Sequence, residues 1–159
     1  MTHLTVANLG LADLSRADLS RADLRWVNLG LADLTAANLN TSNLFGANLV
    51  QAFLGEANLA GANLTAGNLY GAYLVEANLA GANLDGANLT GTDLRRANLA
   101  GANLYRAFLF SANFAEANLK GANFTEANLK GANLTGTKAD ESTRWPEGFD
   151  PVAAGVTFV

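Results

Sequence analysis

EANLAGANL occupies residues 56–64 and returns at residues 76–84. RANLAGANL follows at residues 96–104 and EANLKGANF at 116–124, so the spacing is twenty each time. Earlier in the chain, NLGLADL at residues 8–14 comes back at 28–34, again twenty residues on. Inside these blocks runs a shorter period. From Leu4 to Leu134 every fifth residue is leucine, with Phe114 and Phe124 as the exceptions. The residue two places earlier is alanine in twenty-two of these twenty-seven repeats, and the residue just before the leucine is Asn or Asp in twenty-three. A repeat this strict sets the architecture before any site is considered.

A period of five fits neither regular element. On an α-helix, successive leucines would lie about 140° apart and smear around the axis, where a packed helix needs one apolar stripe. On a flat strand, an odd spacing would flip each leucine to the opposite face. The remaining solution is a chain that changes direction once per five residues, always toward the same side. Alanine and leucine then point into a coil, while Asn or Asp points outward at a turn and bonds nearby backbone. The twenty-residue period means that four pentapeptides close one coil, which therefore has a square cross-section.

This tandem A-[ND]-L-x-x pattern resembles the pentapeptide-repeat family over residues 2 to about 138. The resemblance implies an all-β fold, a right-handed quadrilateral β-helix with four pentapeptides per coil and the central Leu or Phe inside. Its handedness comes from the resemblance alone. The chain departs from the pattern at Val27, Ser42, Gly67 and Thr92 in the alanine slot, and at His3, Phe53, Tyr73 and Phe108 in the Asn/Asp slot. No insertion breaks the register, so a smooth rod without protruding loops is expected.

Composition agrees with one domain. Hydrophobic content is 50% and mean hydropathy +0.12, yet no apolar run approaches the roughly 20 residues a spanning helix needs, so no membrane role is expected. Burying one leucine contributes about 1.5–3 kcal/mol, enough in aggregate to hold a thin rod together. Coils stacked about 4.8 Å apart give a body on the order of 30 Å long. Met1 runs almost directly into the repeats without a basic and then apolar leader, which makes the cytoplasm the expected location. Zero cysteines exclude disulfides and thiolate metal sites. Residues 1–138 carry ten acidic and nine basic side chains, a net of −1, while residues 139–159 carry four acidic side chains against Arg144, a net of −3.

The last segment is a different object. Residues 1–138 form the expected solenoid, and residues 139–159 are read as a C-terminal cap. Trp145, Phe149, Val152, Val156 and Phe158 gather where the final coil would otherwise expose its leucines and its open edge. Pro146 and Gly148 favour a turn, and Pro151 can open one helical turn. The W-P-x-G-F-D-P run at residues 145–151 resembles the segment that follows the repeats in cyanobacterial members of the family. No cap is visible at the other end, so the expectation is that it is covered by self-association through the N-terminal end, or by a partner or domain outside this chain.

Few residues point to chemistry. His3 is the one histidine and has no evident partner to make it a catalytic base. Ser15, Ser20, Ser42, Ser111 and Ser142 lack a base at any motif spacing. The glycines recur mainly two places after the leucine, marking turns and not a phosphate loop. Asp13 and Asp33 stack in one column near Asp18 and Asp23, but turn hydrogen bonding explains them better than a hard cation, which takes six to eight oxygens. Glu56, Glu76, Arg96 and Glu116 form a solvated column, and the Ala-Gly pairs at 60, 80 and 100 a flat face of small residues. No catalytic site, cofactor site or metal site is expected.

The aromatic departures are more informative. Phe53 and Tyr73 replace the outward Asn on consecutive coils, Val50 and Tyr70 stack in the column just before them, and Leu11 and Leu31 occupy the adjacent column. These six residues should line one corner as an apolar stripe. Two readings stand: a ladder of side chains stacked across coils, or a surface for a protein partner. Trp26 and Phe45 make a smaller pair on another face.

The expected role is therefore a non-catalytic interaction or scaffold module with a protein partner. The alternative implied by the resemblance is a DNA-mimicking topoisomerase inhibitor, because the family includes gyrase-binding rods. Mimicry needs about one negative charge per 1.7 Å, and a rod of net −1 lacks it. Direct nucleic-acid binding is not expected, and an enzyme is the weakest reading.

Overall fold

The computed structural model describes residues 4–159, so His3 lies outside the described residues. Parallel bridges join residues twenty apart, from Asn8 with Asn28 to Asn98 with Asn118, without a slip. Each face of the coil contributes a single bridging residue, always from the Asn/Asp slot. Faces are numbered here in chain order. The first comprises residues 7–11 and their equivalents every twenty residues, the second 12–16, the third 17–21 and the fourth 22–26.

The direction change lies one step beyond the Asn/Asp slot. In the corner at Leu49, the Ala52 N–H donates to the Leu49 carbonyl at 3.1 Å, and Gln51 between them has φ of 54°. A left-handed third residue is what a type II turn requires. All twenty-seven corners from Val6 to Gly136 share it, ten with glycine and seventeen with other residues. Leu11, Trp26 and Thr41 adopt this region at a steric cost of about 1–2 kcal/mol each. The stacked coils must hold them there.

Every N–H of one pentapeptide is hydrogen-bonded. The Asn48 N–H donates to Val27 of the preceding coil at 2.9 Å, while Leu49 and Gln51 donate to Asn68 and Tyr70 of the next at 2.7 and 2.9 Å. The Val50 N–H goes to Asn48 Oδ1 at 3.2 Å, which assigns the outward Asn a definite task. The Asn side chains also ladder to one another, as Asn48 Nδ2 does to Asn28 Oδ1 at 2.8 Å.

The interior is built from the alanine and leucine columns, which are fully buried from Leu24 to Leu104. Polar departures in the alanine slot are satisfied locally: Ser42 Oγ donates to the Leu39 carbonyl at 2.8 Å and Thr92 Oγ1 to the Leu69 carbonyl at 2.8 Å. Among the described residues no helix is long and apolar enough to cross a membrane.

The ladder continues into the segment read as a cap. Asn118 bridges Lys138 and Asn123 bridges Arg144, so the register acquires one extra residue between those two faces. A turn held by Asp140 absorbs it, with Oδ1 accepting from Ser142 N at 3.1 Å and Gly121 N at 3.0 Å. Trp145 then takes the central slot above Phe124, their rings parallel with centroids 5.2 Å apart, and Phe149 stacks on Trp145 at 5.4 Å. The buried Trp145 indole N–H has no partner among the described residues, an uncommon state for a buried donor. Strand β1 (Lys138–Ala139) finally pairs in parallel with β2 (Thr157–Phe158). The cap is narrower than its apolar residues imply. Trp145, Phe149 and Val156 pack on the core, whereas Val152 and Phe158 remain 68% and 45% exposed.

Candidate interaction surface

The outward columns of the first face start from small residues. Gly10 and Gly30 are followed at the same position by Val50, Tyr70, Thr90 and Phe110. At the corner beyond them stand Leu11 and Leu31, exposed by 77% and 45%. Leu11, Leu31 and Val50 line one shallow groove of about 420 Å³, floored by Gly10, Gly30 and the Asn28 and Asn48 side chains. Val50 is half-buried in it. The glycines matter here because they leave space between the Asn ladder and the corner leucines.

Around the corner, on the second face, Phe53 and Tyr73 bridge each other directly. Their rings are stacked 5.2 Å apart and 6° from parallel, yet each residue remains nearly half exposed. Asp33 and Asp93 close the column at either end. The replacement has a local cost. The N–H groups of Gly55 and Val75 lack the side-chain oxygen that serves Thr35 from Asp33 at 2.9 Å and Ala115 from Asn113 at 3.1 Å. Stacking returns about 0.5–1.5 kcal/mol, comparable to the net value of each lost hydrogen bond.

The six sequence-derived residues thus fall into three parts: a groove of Leu11, Leu31 and Val50, an exposed Tyr70 next up the same column, and the Phe53–Tyr73 stack. Two further aromatics extend this surface: Phe108, noted in the sequence only as a departure from the Asn slot, and Phe110, which the sequence reading missed. Phe108 and Phe110 are 54% and 46% exposed and carry the same face two coils further. Their signal was the twenty-residue spacing, since Phe110 continues the column of Val50 and Tyr70 while Phe108 replaces an Asn.

Charge sharpens the outline. The first face carries no Asp, Glu, Lys or Arg from residues 7–11 through 107–111, and Lys130 is its first charged residue. Charged side chains gather on the second and fourth faces, where many neutralise one another. Arg25 pairs with Asp23 at 2.8 Å, Arg95 with Asp93 at 2.7 Å, Arg96 with Glu76 at 2.7 Å and Arg106 with Asp85 at 3.3 Å. The Trp26–Phe45 pair on the fourth face is edge-to-face at 5.1 Å.

The N-terminal carboxylates serve their own turns. Asp13 Oδ1 accepts the Ser15 hydroxyl at 2.7 Å and its N–H at 3.0 Å, which holds the carboxyl below its ordinary value of 3.8. The Ser20 hydroxyl and N–H do the same for Asp18. Among the described residues, no group of three metal-ligating side chains is placed to hold a metal ion.

The chain matches the family model for pentapeptide repeats, in eight copies, over residues 2–35, 42–79, 72–109 and 109–143. No curated protein sequence matches it. It is similar to the solved structure of HetL, a pentapeptide repeat protein involved in heterocyst differentiation regulation from the cyanobacterium Nostoc sp. strain PCC 7120. Identity is 34% and the TM-score 0.60, covering 92% of this chain and 75% of that one. It is also similar to alr5209, a pentapeptide repeat protein from Nostoc PCC 7120, at 36% identity and a TM-score of 0.54, over 67% of this chain and 84% of that one. QnrB1, a plasmid-mediated fluoroquinolone resistance protein, in its trypsin-treated form shares the fold at 15% identity and a TM-score of 0.52, over 99% of this chain and 91% of that one. Repeat pattern, square coil and solved relatives agree: the chain belongs to the pentapeptide-repeat family of right-handed quadrilateral β-helices.

Proposed function

We propose that this chain is a non-catalytic interaction module, a stiff rod that presents its uncharged first face and the adjoining corner to a protein partner. One observation carries the reading: large apolar side chains protrude from a face without charge for six coils, while the other three faces all carry charge. Contiguous exposed apolar area of this kind marks interaction surfaces, and aromatic anchors concentrate binding energy within them. Similarity to HetL, which is involved in heterocyst differentiation regulation, is compatible with a regulatory scaffold. The gyrase-directed alternative has only the shared fold with QnrB1 in its favour. Paired charges and the ten-to-nine balance of residues 1–138 argue against DNA mimicry.

Site-specific photo-crosslinking tests the reading. A photoreactive amino acid at Tyr70 should capture a discrete protein in cells, and the same residue at Ala80 on the third face should not. Equal capture from both positions, or stoichiometric inhibition of gyrase supercoiling by the purified chain, would overturn it.

A further inference from the structure

The C-terminal end of the rod is closed on the third face, partly closed on the second and fourth, and open on the first. On the third face, Lys138 takes the place of a next coil, accepting from Leu119 N at 2.7 Å, and on the fourth Arg144 accepts from Phe124 N at 2.7 Å. On the second face only Gly136 N is met, donating to the Gly155 carbonyl at 3.1 Å, while the Leu134 N–H and Ala132 carbonyl have no partner among the described residues. Nothing comparable meets the first face. One coil earlier, Leu109 N donates to Asn128, Ser111 N donates to Lys130, and the Ala107 carbonyl accepts from Asn128 N, at 3.0, 3.1 and 3.0 Å. Their equivalents at the edge, the Leu129 and Gly131 N–H groups and the Ala127 carbonyl, have no partner among the described residues. Ala127 and Leu129 are nevertheless only 7% exposed. Beside them lies a groove of about 480 Å³, bounded on one side by residues 127–132 and on the other by residues 146–149.

Two donors and one acceptor in this order are the complement of extended backbone, and a strand that adds to an exposed edge binds in this way. The chain already does this to itself where β2 joins β1 in parallel. We propose that the edge at residues 127–131 accepts an extended segment of a partner polypeptide as one further parallel strand. The central residue of that segment lies over Leu129, facing inward beside Phe149, and is apolar. The next residue lies over Lys130, whose ammonium has no ion pair among the described residues, and is acidic. Backbone bonds supply the affinity, and these two positions supply the selectivity.

The test uses the full chain, isotopically labelled, and a capped pentapeptide Ala-Asn-Leu-Asp-Gly, the sequence of residues 82–86. The amide resonances of Leu129 and Gly131 should move on titration with a dissociation constant of about 1 mM, and their hydrogen exchange should slow about tenfold at saturation. The same peptide with an N-methylated Asn loses the donor for Ala127 and should leave both resonances in place. Lys130→Glu should weaken binding of the unmodified peptide about two- to fivefold. Equal responses to the two peptides, or Leu129 and Gly131 amides already as protected as those of Leu109 and Ser111, would overturn the proposal. Shifts that arise on concentrating the protein alone would assign the edge to a second copy, overturning the partner segment. The stripe lies elsewhere, so this titration reads the edge independently of it.

Discussion

Two sets of apolar side chains run along this rod, and they differ in what covers them. Leu54 and Leu74 are fully buried under the next coil, whereas Phe53 and Tyr73, each one residue earlier, are nearly half exposed. The inward set is required by the fold: without it, nothing offsets the chain entropy of single-residue bridges and strained corners. The outward set interrupts the Asn ladder, forgoes its hydrogen bonds and returns about as much by stacking. Adjacent positions in one pentapeptide therefore differ in role: one residue serves stability, and its neighbour is the one proposed to meet a partner.

The largest effect should come from removing what covers the inward set at its end. Deleting residues 139–159 uncovers Phe124, now beneath Trp145, and frees the edge held by Arg144 and the Gly136 N–H held by Gly155. Aggregation or end-to-end association should follow, read by sedimentation. A truncated chain that stays monomeric and equally heat-stable would show that the tail is no cap. Next, Leu74→Ala leaves a cavity in a fully buried column and should cost about 2–5 kcal/mol, near 2–4 °C of melting temperature for each.

These two predictions draw on parts of the molecule that were unequally legible in the sequence. Interior columns were readable because a five-residue period admits only one arrangement for twenty-seven central Leu and Phe side chains. Phe114 and Phe124 were visible as substitutions, but not that Phe124 opens an aromatic stack through Trp145 to Phe149. The tail has no period, so its extra residue and the solvent exposure of Val152 and Phe158 came only from three-dimensional packing. Phe110 was overlooked because its position in the repeat tolerates any residue. The Asn/Asp slot was placed at the turn, whereas it bridges coils and reaches the turn through its side chain.

A smaller effect is expected on the fourth face. An added Cβ at Gly46, whose φ is +64°, would lie 2.3 Å from the Trp26 ring, so Gly46→Ala should displace that ring and cost about 1–3 kcal/mol. A melting temperature equal to the parent's would contradict this contact. Smaller again is the effect of acid. Hydrogen bonds from Ser15 and Ser20 and the Arg95 guanidinium lower the folded-state values of Asp13, Asp18 and Asp93 below 3.8. Groups lowered in the folded state stabilise it above their unfolded value, and that contribution disappears as pH falls through the folded values. Thermal melts should thus decline slightly below about pH 4, and a Ser15→Ala, Ser20→Ala variant should decline less.

The smallest expected change in stability belongs to the outward set, where it matters most. Replacing Phe53 and Tyr73 together by Asn restores the ladder from Asp33 to Asp93 and exchanges a ring stack for side-chain hydrogen bonds. Melting temperature and capture of the crosslinked partner, measured on that one double variant, separate the two sets directly. The account predicts a melting temperature within about 2–4 °C of the parent together with loss of the partner; a marked drop in melting temperature with capture unchanged would make the stripe an aromatic ladder and nothing more.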